Sequence, residues 1–201
     1  MAVQSNLKNM FVCLFGTCLV CSALLAGVYA MTKAPIDATN ARLLKEAVGA
    51  VLPEGGELSD AQTLEVGGQP SEYYVLNQDG TPAAYAVKST VVGFGGPLTL
   101  MVGVTADGTV YNTSVLSHSE TPGLGAKCTT DEKFMAQWKG FNPAEKILKV
   151  KKDNGDVDAI TASTITSRAF LRAVKVAFHA YAGASASDGQ TGASQQQQPK
   201  N

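Results

Sequence analysis

From Asn9 to Thr32 most positions are Phe, Val, Leu, Ala, Cys or Met, and no charged side chain interrupts them. A helix rises about 1.5 Å per residue, so about 20 such residues cross a hydrocarbon core of about 30 Å. The pattern predicts a transmembrane helix over 9–32. Lys8 and Lys33 bracket it as interfacial anchors, and Tyr29 falls at an aromatic-belt position. A cleaved signal peptide ending at Val28-Tyr29-Ala30 competes with this reading. The run, however, exceeds the usual apolar core of about 7–15 residues, and only one lysine precedes it. An uncleaved single span is therefore expected, with residues 1–8 as a short cytoplasmic N-terminus and the remainder outside.

Beyond the span, residues 33–40 read as a linker and Ala41–Leu52 as a helix with Leu43, Leu44, Ala47, Val48, Val51 and Leu52 on one face. Pro53 and Gly55-Gly56 stop it. Glu72–Asn77 and Ala83–Thr90 flank Asp79-Gly80, and Leu98–Thr105 and Thr109–Leu116 flank Asp107-Gly108. Asp-Gly between β-rich runs predicts hairpins, because both turn positions tolerate positive φ. A short amphipathic helix follows over Asp131–Lys139. A third hairpin is expected from Ile147–Lys151 and Val157–Thr161 around Asp153-Asn154-Gly155. Ser167–Tyr181 reads as a helix with Phe170, Val174, Ala177, Phe178 and Tyr181 inward and Arg168, Arg172, Lys175 and His179 outward. Residues 183–201 are Gly, Ser, Ala and Gln with little to bury, so a disordered tail is expected. Helices flanking antiparallel hairpins make an α+β domain over 41–182.

Charge narrows the function. Sixteen basic and seventeen acidic residues give a net charge of −1, and without a Lys/Arg block there is no nucleic-acid face. Three of the four cysteines, Cys13, Cys18 and Cys21, lie in the apolar run. Cys128 alone cannot close an intramolecular disulfide. Two histidines argue against a zinc site, because the one Cys-x-x-Cys, Cys18-Leu19-Val20-Cys21, lies inside the apolar run; no metal ligand set is expected. Phosphate-loop and nucleophile-elbow motifs are absent. Gly93-Phe94-Gly95-Gly96 ends at Pro97 with no helix after it, which does not suit a dinucleotide fingerprint. A self-contained hydrolase is not expected on these grounds.

Two segments remain. Thr161-Ala162-Ser163-Thr164-Ile165-Thr166-Ser167 places five hydroxyls between a strand and a helix. Helix capping accounts for such clusters. So does an anion held at the helix N-terminus, where free N–H groups and the dipole favour negative charge. Ser117–Lys127 sets polar donors beside Pro122-Gly123-Leu124-Gly125, a surface turn or a loop able to pack on a flat ring.

Gly93-Phe94-Gly95-Gly96-Pro97, Val115–Gly125 and Asp158-Ala159-Ile160-Thr161-Ala162-Ser163-Thr164 resemble the FMN-binding domain of the G subunit of Rnf complexes. These are membrane ion-translocating ferredoxin:NAD oxidoreductases, related through this component to the C subunit of the sodium-translocating NADH:quinone reductase. The resemblance spans about residues 7–182. It implies a covalently flavinylated electron carrier in the bacterial inner membrane, with the domain on the periplasmic side. It further implies the other subunits of the complex as partners and a dedicated flavin transferase for maturation. The family's motif, Asp-x-x-[Ser/Thr]-Gly-Ala-Thr, places Asp158, Thr161 and the phosphoester acceptor Thr164, with Ala162 standing where the family has Gly and Ser163 where it has Ala. If the Gly position needs positive φ, Ala162 would be strained. The same resemblance implies flavin contacts from His118, Glu120, Thr121, Gly123, Leu124 and Gly125, with Phe94, Leu124 or Trp138 as apolar cover. Other readings are a tethered domain that binds a ligand or partner without redox work, and a flavoprotein of another extracytoplasmic pathway.

Overall fold

In the computed structural model, which describes residues 7–195, the apolar run, the expected linker and the first domain helix are one element, α1 (Leu7–Val51). The chain divides into two compact units between Leu43 and Leu44. In the first unit every side chain from Leu7 to Leu43 is exposed. Among the described residues this is the one helix long and apolar enough to cross a membrane. Pro35 lies inside it. Its ring withdraws one backbone donor, yet the segment stays helical. Ala34, Ala38 and Ala41 favour the helix, and Lys33 pairs with Asp37 one turn on at 3.0 Å. A proline between good helix formers does not break the chain into span and linker.

The second unit is built on one six-stranded antiparallel sheet. β1 (Glu57–Leu58), β2 (Gln62–Val66), β3 (Gln69–Gln78), β4 (Thr81–Val92), β5 (Pro97–Thr105) and β6 (Val110–His118) carry it. β3 to β6 form a meander, while β1 and β2 share the outer edge of β3. At the first hairpin Asp79 and Gly80 both take positive φ, 52° and 77°. At the second only Gly108 does, because Thr105 and Thr109 close a longer turn around it.

Period-two alternation sends the strands' side chains to two cores. Tyr73, Val75, Tyr85, Val87, Leu100, Val102 and Val104 face α2 (Glu132–Ala136) and α3 (Thr164–Gln195). On this side Trp138 is fully buried, its ring 5.0 Å from that of Phe170. Leu76, Ala84, Ala86 and Met101 face the other way, against Ala47, Val48, Val51 and Leu52 from the end of α1. That second interface is close where its sheet residues are small, at Ala84, Ala86 and Gly103. Gly103 pairs with Ala86, and a Cβ at position 103 would overlap the Val51 carbonyl oxygen. The two faces covered by helices and the antiparallel sheet bear out the α+β class.

Two local expectations are corrected. The third hairpin does not form. Residues 147–157 instead fold on themselves, with Lys151 N–H donating to Val157 O at 2.9 Å and Ile147 N–H to the Asp156 carboxylate at 2.6 Å. A 3₁₀ turn spans Lys151–Asp153 and ends at Asn154 with φ 57°. Leu148 and Val150 do turn to the main core, but among the described residues the segment has no strand beside it and makes only an isolated parallel bridge, Val150 to Val157. The last helix is also longer than expected, running from Thr164 to Gln195. Ala180 and Ala184 are buried in the main core, so the alanine-rich segment after Tyr181 has a surface to pack on. Of the expected tail, residues 196–201 lie outside the described residues.

Candidate functional site

Three segments meet at the start of α3: the Gly93–Pro97 turn after β4, the loop after β6, and Ala162–Thr166. They line a cavity of about 360 Å³, within the range of small-molecule sites. Glu120 fastens them together. The residue is 5% exposed. One oxygen accepts from Phe94 N at 2.8 Å and the other from Thr166 Oγ1 at 2.8 Å. Gly93 and Gly125 make room for it, since a Cβ at either would collide with the carboxylate. The loop is turned by the Glu120 N–H donating to His118 Nδ1 at 3.2 Å. Below it Cys128 is buried. Burial first, and the Glu120 charge second, push its thiol up to about 11; Cys128 stays protonated and unreactive near neutral pH.

The five hydroxyls of the cluster separate by role. Ser167 is structural: its hydroxyl donates to Ser163 O at 2.9 Å and accepts from Ile160 N at 2.9 Å. Thr166 is held by Glu120. Ser163 occupies the N-cap position, but its hydroxyl is buried without a hydrogen-bond partner among the described residues, so capping does not explain it. Thr161 is exposed and lies off the cavity. Thr164 lines the cavity, is half-buried, and its hydroxyl has no partner among the described residues. The first amides of α3 surround it without intrahelical acceptors and with the positive end of the dipole.

Ala162 has φ 60°. A left-handed conformation costs a residue with a Cβ about 1–2 kcal/mol. The turn into α3 therefore does demand positive φ at this position, and alanine fills it under strain. Ala162→Gly should remove that cost and return part of it as unfolded-state entropy, for a net gain of about 0.5–1 kcal/mol. Urea unfolding of the full chain in detergent, followed by the fluorescence of Trp138, measures this; an unchanged or lower midpoint contradicts it.

Of the residues singled out from the sequence, the cavity gathers Glu120, Thr121, Leu124, Gly125, Ala162, Ser163 and Thr164, together with Phe94. It also takes Ile165 and Thr166, which sequence reasoning left without a role. Their signal was position: they are the second and third residues of a helix whose first turn faces a pocket. His118, Gly123, Asp158 and Thr161 lie outside the lining. Asp158 turns away to Lys151 at 2.9 Å, and that bonded ammonium holds its carboxyl below the ordinary carboxylate range. Trp138 belongs to the core and gives the cavity no cover. Phe94, Leu124 and Ile165 are 66%, 45% and 52% exposed, an apolar rim left uncovered by the described residues.

Residues 93–179 match the FMN-binding domain family, the stretch that holds all three cavity segments. Over 80% of its length the chain is 33% identical to the G subunit of the proton-translocating ferredoxin:NAD(+) oxidoreductase complex of Clostridium ljungdahlii, covering 84% of that protein. Over 77% it is 35% identical to the G subunit of the ion-translocating oxidoreductase complex of Methanosarcina acetivorans, again covering 84%. The chain belongs to the RnfG family. The crystal structure of Shewanella oneidensis NqrC is 26% identical over 54% of the chain and 55% of its own, with a TM-score of 0.44. Membership in the RnfG family makes this chain one component of a redox-driven, ion-translocating complex, and the residues matched to the FMN-binding domain include those that line the cavity.

Proposed function

We propose that the chain carries one FMN, joined by a phosphoester to Thr164 Oγ1, and acts as the electron-carrying component of a membrane complex that couples ferredoxin/NAD-type electron transfer to ion movement. The reading rests on one observation above all. Of five clustered hydroxyls, Thr164 alone faces the cavity, reaches solvent and has no partner among the described residues. The residues fit the group: a free acceptor hydroxyl, helix amides for a phosphate's residual charge, and an uncovered apolar rim for a flat ring.

FMN, when bound, supplies reversible one- and two-electron transfer. The chain's own residues hold and shield. Thr164 anchors through its hydroxyl oxygen, and the α3 amides offset negative charge beside it. Phe94, Leu124 and Ile165 exclude water from one side. Glu120 fixes the spacing of the walls, and the Thr121 hydroxyl stands at the mouth. Asp158 and Thr161, at the surface beside the cavity, are available to the flavin transferase that installs the group. The apolar segment of α1 anchors the chain once in the bacterial cytoplasmic membrane, with the domain on the extracytoplasmic side. Covalent attachment suits a carrier at that surface, because the group cycles without dissociating.

Intact-mass analysis of the chain matured with its transferase tests this. The expected result is an added mass of one FMN less one water, with flavin absorbance that survives denaturation and gel filtration. A matured chain of unmodified mass overturns the reading.

A further inference from the structure

A second and larger concavity, about 800 Å³, lies between α3 and strands β2 to β4. Its two walls differ in chemistry. From α3 come Arg172, Lys175 and His179, at the i, i+3, i+7 spacing that puts them on one helix face. From the strands come Val66, Val91 and Val92, the last 72% exposed.

The charges do not cancel locally. Glu72 is the only carboxylate in the lining among the described residues. It is already held by Lys88 at 2.9 Å and by the Tyr74 hydroxyl at 2.7 Å. Arg172 reaches Val92 O at 2.7 Å, which fixes its guanidinium at the rim without neutralising it. Neither Lys175 nor His179 has an acidic partner among the described residues. One turn earlier on the same face Arg168 is neutralised by both oxygens of Asp153, each at 2.8 Å. In a chain of net charge −1, Arg172 and Lys175 leave uncancelled positive charge on the α3 wall, across from a strand wall that carries the apolar Val66, Val91 and Val92 beside the paired Glu72 and Lys88.

We propose that this groove docks an acidic segment of another subunit of the complex, its carboxylates against Arg172, Lys175 and His179 and an aliphatic or aromatic side chain against Val66 and Val92. The proposal rests on family membership and not on the flavin linkage. A concave, two-walled site suits a protruding segment better than a bilayer surface, which is flat. Complementary charge at such a rim speeds encounter and fixes register.

The test uses the full chain in its native membrane complex. With p-benzoylphenylalanine at position 175, irradiation should yield a cross-link to a peptide of another subunit that carries two or more Asp or Glu residues. The double variant K175E/H179E should weaken co-purification of the other subunits roughly tenfold or more, with the loss already present at low salt. K175A/H179A should lie between it and the wild type. Attached flavin is measured on the wild type and on every variant: its absence from the wild type would sink the flavin reading, and co-purification is compared between chains equally loaded, so the two failures stay separate. Cross-links only to phospholipid, only to a second copy of this chain or to no protein overturn the proposal. So does unchanged co-purification of the charge-reversed variant.

Discussion

Thr164→Ala is expected to give a chain with no attached flavin, at unmodified mass and without colour, even when matured beside its transferase. The change removes one oxygen and one methyl group at a half-buried helix position. Because alanine favours the helix at least as well as threonine, stability should hold within about 0.5 kcal/mol. Loss of colour would then report the missing acceptor and not a collapsed fold. Thr164→Ser keeps an oxygen in place and should keep the adduct. Ser163 is the natural competitor, one residue away, but its hydroxyl is enclosed and lies out of reach of an enzyme. An adduct that persists in the alanine variant and maps to Ser163 would refute the assignment of Thr164.

Glu120→Ala should be the most damaging single change at the site. It strands two donors, the part-buried Phe94 amide and the buried Thr166 hydroxyl. Each costs about 1–3 kcal/mol when left unpaired, so a loss of about 2–4 kcal/mol is expected. It also opens a void between Gly93 and Gly125, and flavin loading should fall with the spacing of the walls. Glu120→Gln separates charge from connectivity. Its carbonyl oxygen can still accept from Phe94, and its amide can donate to the Thr166 oxygen, so it should cost only about 1 kcal/mol. Urea midpoints of the two variants decide the matter. Equal destabilisation by Ala and Gln would mean that the negative charge itself, not the bridge, holds the site.

Much of this is legible in the sequence because it is local. The apolar run, the Asp79-Gly80 turn and the apolar face of α3 each depend on residues a few positions apart. So does the hydroxyl-rich stretch at the head of α3. What escapes notice depends on distance. Glu120 joins residues 26 and 46 positions away, and nothing in Ser119-Glu120-Thr121 distinguishes a buried bridge from a solvated acid. β2 is five residues with only partial burial; it is a strand because β3 offers an edge, although Gly67-Gly68 between them is a hairpin signal. The failed third hairpin shows the converse. Asp153-Asn154-Gly155 has turn chemistry, but its flanking lysines have no sheet to join. The expected linker is helical instead because Pro35 cannot outweigh the helix formers on either side of it.

The roof that the final turns of α1 lay over the sheet settles where a water-soluble version of the domain has to begin. Started at Leu44, it keeps Ala47, Val48 and Val51 over Ala84, Ala86 and Met101 and sheds the greasy leader. Started at Pro53, it leaves that side of the sheet bare, and such molecules would stick to one another before their loading with flavin could be assessed.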